Sequence, residues 1–539
     1  GLHVESACPA APRTTVPMPT TPSSTTVMRD QETVPAEIPL VGNLATTGRP
    51  HASAVTTDQH TAGQPTKRWA LGAVLGDRAL RRDVIRLAWP VVVEQLLATS
   101  VGLVDVAVIG RLGSASLAGS GLGLQIIMVA ISALSAFGIG TTILVAQATG
   151  RRDPLGSATA LRQGLTLGTA LSVILTIVGL LVAAPLMAFL GGTGDVAAMG
   201  TIFLQVSLLG MVPLTLQFAL GGAMRGAGNS RTPMVAGALV NVINIVGAYG
   251  LAFGELGMPN LGIAGPPVAA NVSRVVGVIY LLAVLTLASA PAGLRIGRLA
   301  PAGASGWRPS AALTRQFVRL SLPSVIEQLS FSFLFLVMGR LLLTLGTTVF
   351  AAQRITFSAG GVTWLPAIGL ATATTALVGQ AIGAKDFDRV RAVTRFSQLL
   401  GVIWMVGIGV IFAFTARLVA GAFTTDDVIV EAAAGGLYAF VPALPLFAYN
   451  MITSGALRGT GDTTFPMINQ VTTTWCVTMP CVWIFSTYLD WGLMGACLAF
   501  AVSSSINCAV LTYRFGREYW RTRTTEPTIV PAVFTHAGE

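Results

Sequence analysis

The sequence predicts an all-α polytopic membrane protein: twelve transmembrane helices, folded as two six-helix bundles related by a pseudo-two-fold axis along the membrane normal. Three observations predict it. Mean hydropathy is +0.71, and only 10% of the 539 residues are charged. A soluble domain carries about 25%, so this chain has too little charge to wet a surface and must dissolve in a bilayer. Second, about 20 apolar residues suffice to span the hydrocarbon, and twelve such runs occur: 87–110, 121–146, 161–190, 198–222, 233–254, 261–289, 318–344, 351–379, 394–421, 432–456, 466–488 and 492–513. Third, the chain repeats itself at an offset of 233 residues, so that LAWPVVVEQL (87–96) returns as LSLPSVIEQL (320–329).

The repeat continues without a gap through Gly113 and Gly346, Thr142 and Thr375, Gln147 and Gln380, Gly150 and Gly383, and Asp153 and Asp386. Arg225-Gly226-x-Gly228 matches Arg458-Gly459-x-Gly461, and Pro233-Met234 matches Pro466-Met467. After a three-residue slip, Gly262 and Gly265 match Gly492 and Gly495. Chance coincidence in an apolar chain would favour Leu, Val and Ala; these matches are Pro, Gly, Gln, Glu and Arg. Each half therefore holds six spans. Six is even, so both halves start on the same side and are parallel repeats. Two bundles with a cleft between them can rock to expose a central site to either face, the architecture of secondary transporters.

In chain order, residues 1–80 are rich in Thr, Pro, Ala and Ser without periodicity and read as a disordered cytoplasmic tail. A secretory signal would show a basic start and an apolar core; neither is present. The N-terminal lobe follows over 81–289, a Pro/Gly/Arg-rich cytoplasmic linker over 290–317, the C-terminal lobe over 318–515 and a polar cytoplasmic tail over 516–539. The runs are mixed with Gly, Ser and Thr, which lets helices pack closely in lipid. Pro90 and Pro323 mark helix-breaking points, tolerated where neighbouring groups satisfy the freed carbonyls.

The net charge of +10 has a placement that orients the chain. Arg81, Arg82 and Arg86 precede run 1; Arg151, Arg152 and Arg162 lie between runs 2 and 3; Arg295, Arg298, Arg308, Arg315 and Arg319 between runs 6 and 7. The alternate loops carry acids, among them Asp195, Glu255, Asp426, Asp427 and Asp490. This is the positive-inside bias. It puts both termini in the cytoplasm and the protein in the plasma (inner) membrane, with no sign of nucleic-acid binding. The four histidines (His3, His51, His60, His536) are all in the tails, so no histidine metal site or proton relay is expected in the membrane. Cys8, Cys476, Cys481, Cys497 and Cys508 show no metal spacing and read as small packing residues. No phosphate-binding GxxxxGK[ST] loop is present, so an ion gradient is the natural energy source.

Several motifs resemble the multidrug and toxic compound extrusion (MATE) family. They are P-x-x-x-E-Q-L-(x)8-V-D-x-x-x-I-G-R-L-G from Pro90 through Asp105 to Gly113, the pair LVAQATGRRD and LVGQAIGAKD, and the pair AMRGAGNSRTPM and ALRGTGDTTFPM. The resemblance covers about residues 81–515. It implies export of organic, often cationic, compounds in exchange for Na⁺ or H⁺.

Charge inside lipid costs at least about 2.5–3.5 kcal/mol at a helix centre, so each instance is a functional candidate. The spans hold three acids, Glu94, Asp105 and Glu327, and three arginines, Arg274, Arg340 and Arg354. Asp105 has no basic neighbour in sequence, and its repeat partner is Met338. An acid that breaks the symmetry of a duplication points to a task done by one lobe only, and the resemblance implies a cation or proton site there. Glu94 lies eleven residues earlier, on the same helix face and roughly 16 Å away. For Glu94 and its twin Glu327, two readings stand: a gate or cytoplasmic-end salt bridge, or contact with substrate or ion. The resemblance would place a span-7 glutamate one turn later, at Phe331.

Asn241 and Asn244 in run 5 are the expected companions of Asp105, as ion ligands or as interhelical hydrogen bonds. The resemblance would supply an aspartate four residues after Asn244, but Ala248 stands there. A lone buried carboxylate is disfavoured in its charged form, which suits H⁺; Asn244 and hydroxyls completing an oxygen shell would suit Na⁺. Arg274 reads as a counter-charge to Asp105 or as an interior hydrogen-bond hub. Arg340 and Arg354 lie near the outer span ends and are expected to snorkel.

The expected function is a secondary active antiporter exporting lipophilic, often cationic compounds by alternating access, working as a monomer in the bilayer. No cofactor is expected beyond H⁺ or Na⁺. The alternative is a flippase for lipid-linked saccharides, which would want a strongly cationic cavity; here the membrane acids equal the arginines. An enzyme finds no support, since the spans show no histidine and no nucleophile–base pair.

Overall fold

Each predicted run becomes a helix in the computed structural model, which describes residues 76–286, 294 and 311–523. Most of the N-terminal tail and the linker, the end of the C-terminal tail, the four histidines and Cys8 lie outside the described residues. We number the spans α1 (Arg78–Gly110), α2 (Ser114–Gly150), α3 (Pro154–Phe189), α4 (Gly194–Leu209 and Met211–Gly226), α5 (Arg231–Phe253) and α6 (Gly265–Thr286). The second lobe holds α7 (Ala311–Thr344), α8 (Thr347–Gly383), α9 (Phe387–Gly421), α10 (Asp427–Phe440 and Ala443–Gly459), α11 (Thr464–Tyr488) and α12 (Gly492–Gly516).

Sequence periodicity missed several features. α1 and α7 start well before their apolar runs, so Arg81, Arg82 and Arg86 ride on a helix, and residues 311–317 are helix rather than linker. The Asp77 carboxylate caps α1 by accepting from the Ala79 and Leu80 N–H groups. α1 and α7 also run on through Pro90 and Pro323. α4 and α10 are each bent, by 43° and 52°, at equivalent places. α11 carries two π segments, Thr474–Thr478 and Ile484–Tyr488, flanking the turn that contains Pro480. Beyond α12, Tyr519–Arg523 forms a short helix, and Trp520 packs against Phe387 and Phe515.

The duplication is visible in backbone detail. Gly113 and Gly346 take φ of 116° and 133° just before α2 and α8, a region closed to side chains with a Cβ. Asp153 and Asp386 cap α3 and α9 identically, accepting from the Gly156 and Arg389 N–H groups.

Consecutive spans alternate in direction, so Arg78, Gly150, Gly226, Ala311, Gly383, Gly459 and Gly516 share one face, here called proximal. On this side the two cores cross over. Leu80, Val84, Leu87 and Ala88 of α1 pack in the second lobe with Leu370, Ala376, Ile452 and Ala456. Phe317 and Leu320 of α7 pack in the first lobe with Ile143, Leu161 and Leu220. On the distal side each lobe keeps its own core, around Ile109, Met187 and Phe203 in one and Met338, Phe412 and Phe500 in the other. The lobes are therefore joined proximally and separate distally. Large apolar side chains stand out from single helices, Phe189 at 84% exposed and Phe414 at 85%, as lipid-facing residues do.

The proximal joint is reciprocal. The Gln147 amide donates to the Gly459 carbonyl at 3.2 Å, and the Gln380 amide donates to the Gly226 carbonyl at 2.8 Å. Beneath them, α2 and α8 touch backbone to backbone. A Cβ on Gly150 would strike the Gln380 carbonyl group, and one on Gly383 would strike that of Gln147. Asp83 and Arg389 add an exposed ion pair at 3.0 Å between the lobes.

Candidate functional site

Asp105 sits in the last two turns of α1, inside the first lobe. The Asn244 amide of α5 bridges it to α6: its nitrogen donates to Asp105 Oδ1 at 3.3 Å and its oxygen accepts from the Ala270 N–H at 3.3 Å, the orientation that satisfies both groups. Arg274 of α6 is close enough to attract Asp105 without closing an ion pair within 4.0 Å. Its guanidinium donates to Asn271 Oδ1 at 3.3 Å, and Asn271 donates to the Val206 carbonyl at 2.7 Å, at the bend of α4. The guanidinium also packs over Gly210, where a side chain would collide with Asn271. Arg274 therefore makes one side-chain hydrogen bond, to Asn271, and stands near enough to Asp105 to act on its charge. Asn241 donates to the Gly237 carbonyl, and its own oxygen is buried without a partner. The equivalent places in the second lobe are apolar or small: Met338, Val477 and Ser504.

Glu94 and Glu327 do not join this cluster. Arg225 grips both oxygens of Glu94, at 2.7 and 2.9 Å, and Arg458 grips both of Glu327, at 2.6 Å each. The side chains are 12–23% exposed. Both glutamates therefore sit in salt bridges, and their partners are the RGxG arginines. Residues 225 and 458 therefore turn inward and tie α1 to α4 and α7 to α10. The signal was in the sequence: each arginine stands 131 residues after its glutamate in both halves.

Two cavities complete the picture. One of about 190 Å³ lies within the second lobe, lined by Glu327, Phe331, Trp364, Asn450, Gln470 and the π segment Thr474–Thr478. It contains two polar atoms without partners, Trp364 Nε1 and Asn450 Oδ1. The other, about 640 Å³, opens distally between the lobes, walled by α7 and α8 with Gln125 of α2 opposite. Arg340 and Arg354 line it. They face this cleft. Among the described residues no metal-binding group of His, Cys, Asp and Glu occurs.

Comparison with known proteins agrees with this geometry. The MatE family model matches twice, over residues 90–250 and 323–484, once in each lobe. A probable multidrug resistance protein NorM from Thermotoga maritima is 29% identical over 422 residues, covering 77% of this chain and 88% of its own. An uncharacterized transporter YisQ from Bacillus subtilis is 24% identical over 447 residues, covering 82% and 94%. The solved structure of a MOP superfamily transporter from Pyrococcus furiosus superposes with a TM-score of 0.74 at 23% identity, over 83% of this chain and 96% of that one, a likeness of fold.

Proposed function

The chain belongs to the MatE family, the multidrug and toxic compound extrusion transporters, and we propose that it exports lipophilic organic compounds in exchange for H⁺ by alternating access. The observation that carries this reading is the Asp105 cluster. Of the three acids in the apolar runs, Glu94, Asp105 and Glu327, Asp105 is the one that no arginine grips among the described residues, and Asn244 and Arg274 stand beside it. The choice of H⁺ over Na⁺ follows from the same groups. With the Asn244 amide oriented to satisfy both neighbours, its oxygen is engaged by the Ala270 N–H and is a poorer ligand for an alkali cation. The Arg274 charge opposes a second cation in a medium where charges interact strongly. A proton needs no oxygen shell and neutralises Asp105 in place.

α1 supplies a mechanical link. Its distal part carries Asp105 in the first lobe, while Leu80, Val84, Leu87 and Ala88 lie in the core of the second. Protonating Asp105 removes its attraction to Arg274 and weakens the hydrogen bond from Asn244. The distal part of α1 is then free to tilt, and the tilt is felt at the proximal joint. The proximal face carries the basic loops and is assigned to the cytoplasm, so the present state is open to the outside.

The cleft gives no support to the expected cationic cargo, because none of its lining residues is acidic. Its volume suits a drug-sized molecule, which favours a small cargo over a lipid-linked saccharide. The test is transport into proteoliposomes of the wild type and of Asp105→Asn, under an imposed pH gradient or a Na⁺ gradient alone. The wild type is expected to respond to the pH gradient only and the variant to neither. Transport driven by Na⁺ without a pH gradient would overturn the proton reading, and full activity in the variant would overturn the site.

A further inference from the structure

We propose that the α7–α8 wall of the distal cleft is a binding site for an amphipathic organic anion, with Arg340 and Arg354 holding its acidic group and phenylalanines holding its apolar body. The inference rests on the transporter reading and adds the chemical class of the cargo.

Charge is the first argument. Twelve residues line the cavity, and the only charged ones are Arg340 and Arg354. Both are exposed, and neither forms an ion pair with any described residue. The three acids of the spans are engaged elsewhere: Glu94 with Arg225, Glu327 with Arg458, and Asp105 with Asn244 beside Arg274. The even count of membrane acids and arginines therefore conceals a local excess of two positive charges. Charged residues within spans commonly face a cavity and mark a substrate path, and these two guanidiniums have no counter-charge among the described residues. The guanidinium fork suits a carboxylate, sulfonate or phosphate.

The shape of the wall is the second argument. Phe335, Phe350 and Phe357 line the same cavity, and Phe335 and Phe357 meet edge to face with centroids 5.0 Å apart. They offer an apolar, aromatic surface next to the charge. Gln353 lines it too; it is 5% exposed, and its side-chain oxygen has no partner. Such an acceptor is costly to leave unmade and fits a hydroxyl or N–H donor on the cargo.

Departure from the repeat is the third. The counterparts of Arg340, Arg354 and Gln353 in the first lobe are Ala107, Gly121 and Ser120. The second lobe has acquired its cationic wall as the first acquired Asp105, so the feature is not inherited from the helix-bundle plan.

A matched pair of probes tests this: radiolabelled naphthaleneacetate and naphthylmethyl-trimethylammonium, bound to the purified full chain in an uncharged detergent. The wild type is expected to bind the carboxylate more tightly. In Arg340→Gln/Arg354→Gln, carboxylate binding should fall by roughly tenfold or more, the loss of charge-assisted hydrogen bonds. Arg340→Lys/Arg354→Lys should keep most of it, and ammonium binding should not fall in either. Tighter binding of the ammonium probe by the wild type overturns the proposal without needing any variant, as does an unchanged carboxylate affinity in the glutamine variant. Phosphatidylglycerol micelles added to the assay separate cargo from lipid. If they displace the carboxylate and proteoliposomes do not transport it, the wall is a lipid site and the cargo assignment falls. If a pH gradient drives the ammonium probe alone, antiport stands and this inference fails; if it drives neither probe, the antiport reading is the one that fails.

Discussion

Replacing Gly150 and Gly383 together by alanine should prise the lobes apart on the proximal face. A Cβ on Gly150 would stand 2.8 Å from the Gln380 carbonyl carbon and 2.9 Å from the Ala384 nitrogen; one on Gly383 would stand 2.9 Å from the Gln147 carbonyl carbon. Carbon atoms prefer about 3.5–4.0 Å, and the Gln380 and Gln147 carbonyl oxygens lie closer still, so each site must yield by more than about 0.7 Å, and the obstructing atoms are backbone. Overpacking of this kind costs about 1–3 kcal/mol per site. Two sites in one joint then cost at least about 2 kcal/mol, a shift of roughly 30-fold away from the distally open state. The strain exists only while α2 and α8 touch, so opening the proximal side relieves it. Spin labels at Leu155→Cys and Asp388→Cys, exposed and one in each lobe, would report the change by electron–electron distance measurement with the native cysteines replaced. A longer-distance population should appear in the double alanine variant and not in Gly102→Ala, whose Cβ would meet open space. An unchanged or shortened distance would refute the idea that the two glycine contacts hold this state closed.

Three further outcomes follow from the same geometry. Glu94→Gln leaves the Arg225 guanidinium, only 12% exposed, without its counter-charge; with partial solvent access this should cost about 2 kcal/mol, seen as a lower melting temperature in detergent, and Glu94→Gln/Arg225→Gln should recover part of it. Arg274→Gln removes the charge that opposes an alkali cation at Asp105, so ²²Na⁺ binding should appear in this variant and be absent from the wild type and from Arg274→Gln/Asp105→Asn. Valinomycin-imposed potentials, negative on the proximal side, should speed export of a carboxylate cargo and leave that of a monovalent cation unchanged.

The twelve spans were legible because burial in lipid demands long apolar runs, and the duplication was legible because its matches fell on Pro, Gly, Gln and Glu. What the sequence did not disclose were pairings set by tertiary geometry. The bends of α4 and α10 each lie within a turn of a proline, Pro213 after Gly210 and Pro442 and Pro445 in α10, a signal that the apolar runs passed over. Asp105, Asn244 and Arg274 were each singled out, but their contact depends on α1, α5 and α6 converging. Arg340 and Arg354 were read by depth alone, which cannot tell a lipid-facing helix surface from one that faces a cleft. Glu94 looked like a partner of Asp105 because eleven residues bring two side chains to one helix face; the packing of α4 gave it to Arg225 instead.

The two departures from symmetry have a joint energetic consequence. On the proposed proton reading, one acid in one lobe would carry one proton per cycle, entering from the distal side. If the cargo were a monovalent cation leaving in exchange, no net charge would cross, and a membrane potential would contribute nothing. A monovalent anion leaving while a proton enters carries two positive charges inward. Each is worth about 2.3 kcal/mol per 100 mV, so about 4.6 kcal/mol per cycle comes from the potential alone, before any pH gradient. That would support a concentration ratio of roughly 10³ at equilibrium. A symmetric duplicate would dilute this arrangement. A second acid at Met338 would be buried in the apolar core of the second lobe, whereas Arg340 and Arg354 line the cleft itself. On the proposed reading, coupling and cargo recognition would lie in opposite lobes, with α1, packed in both, as the element that links them.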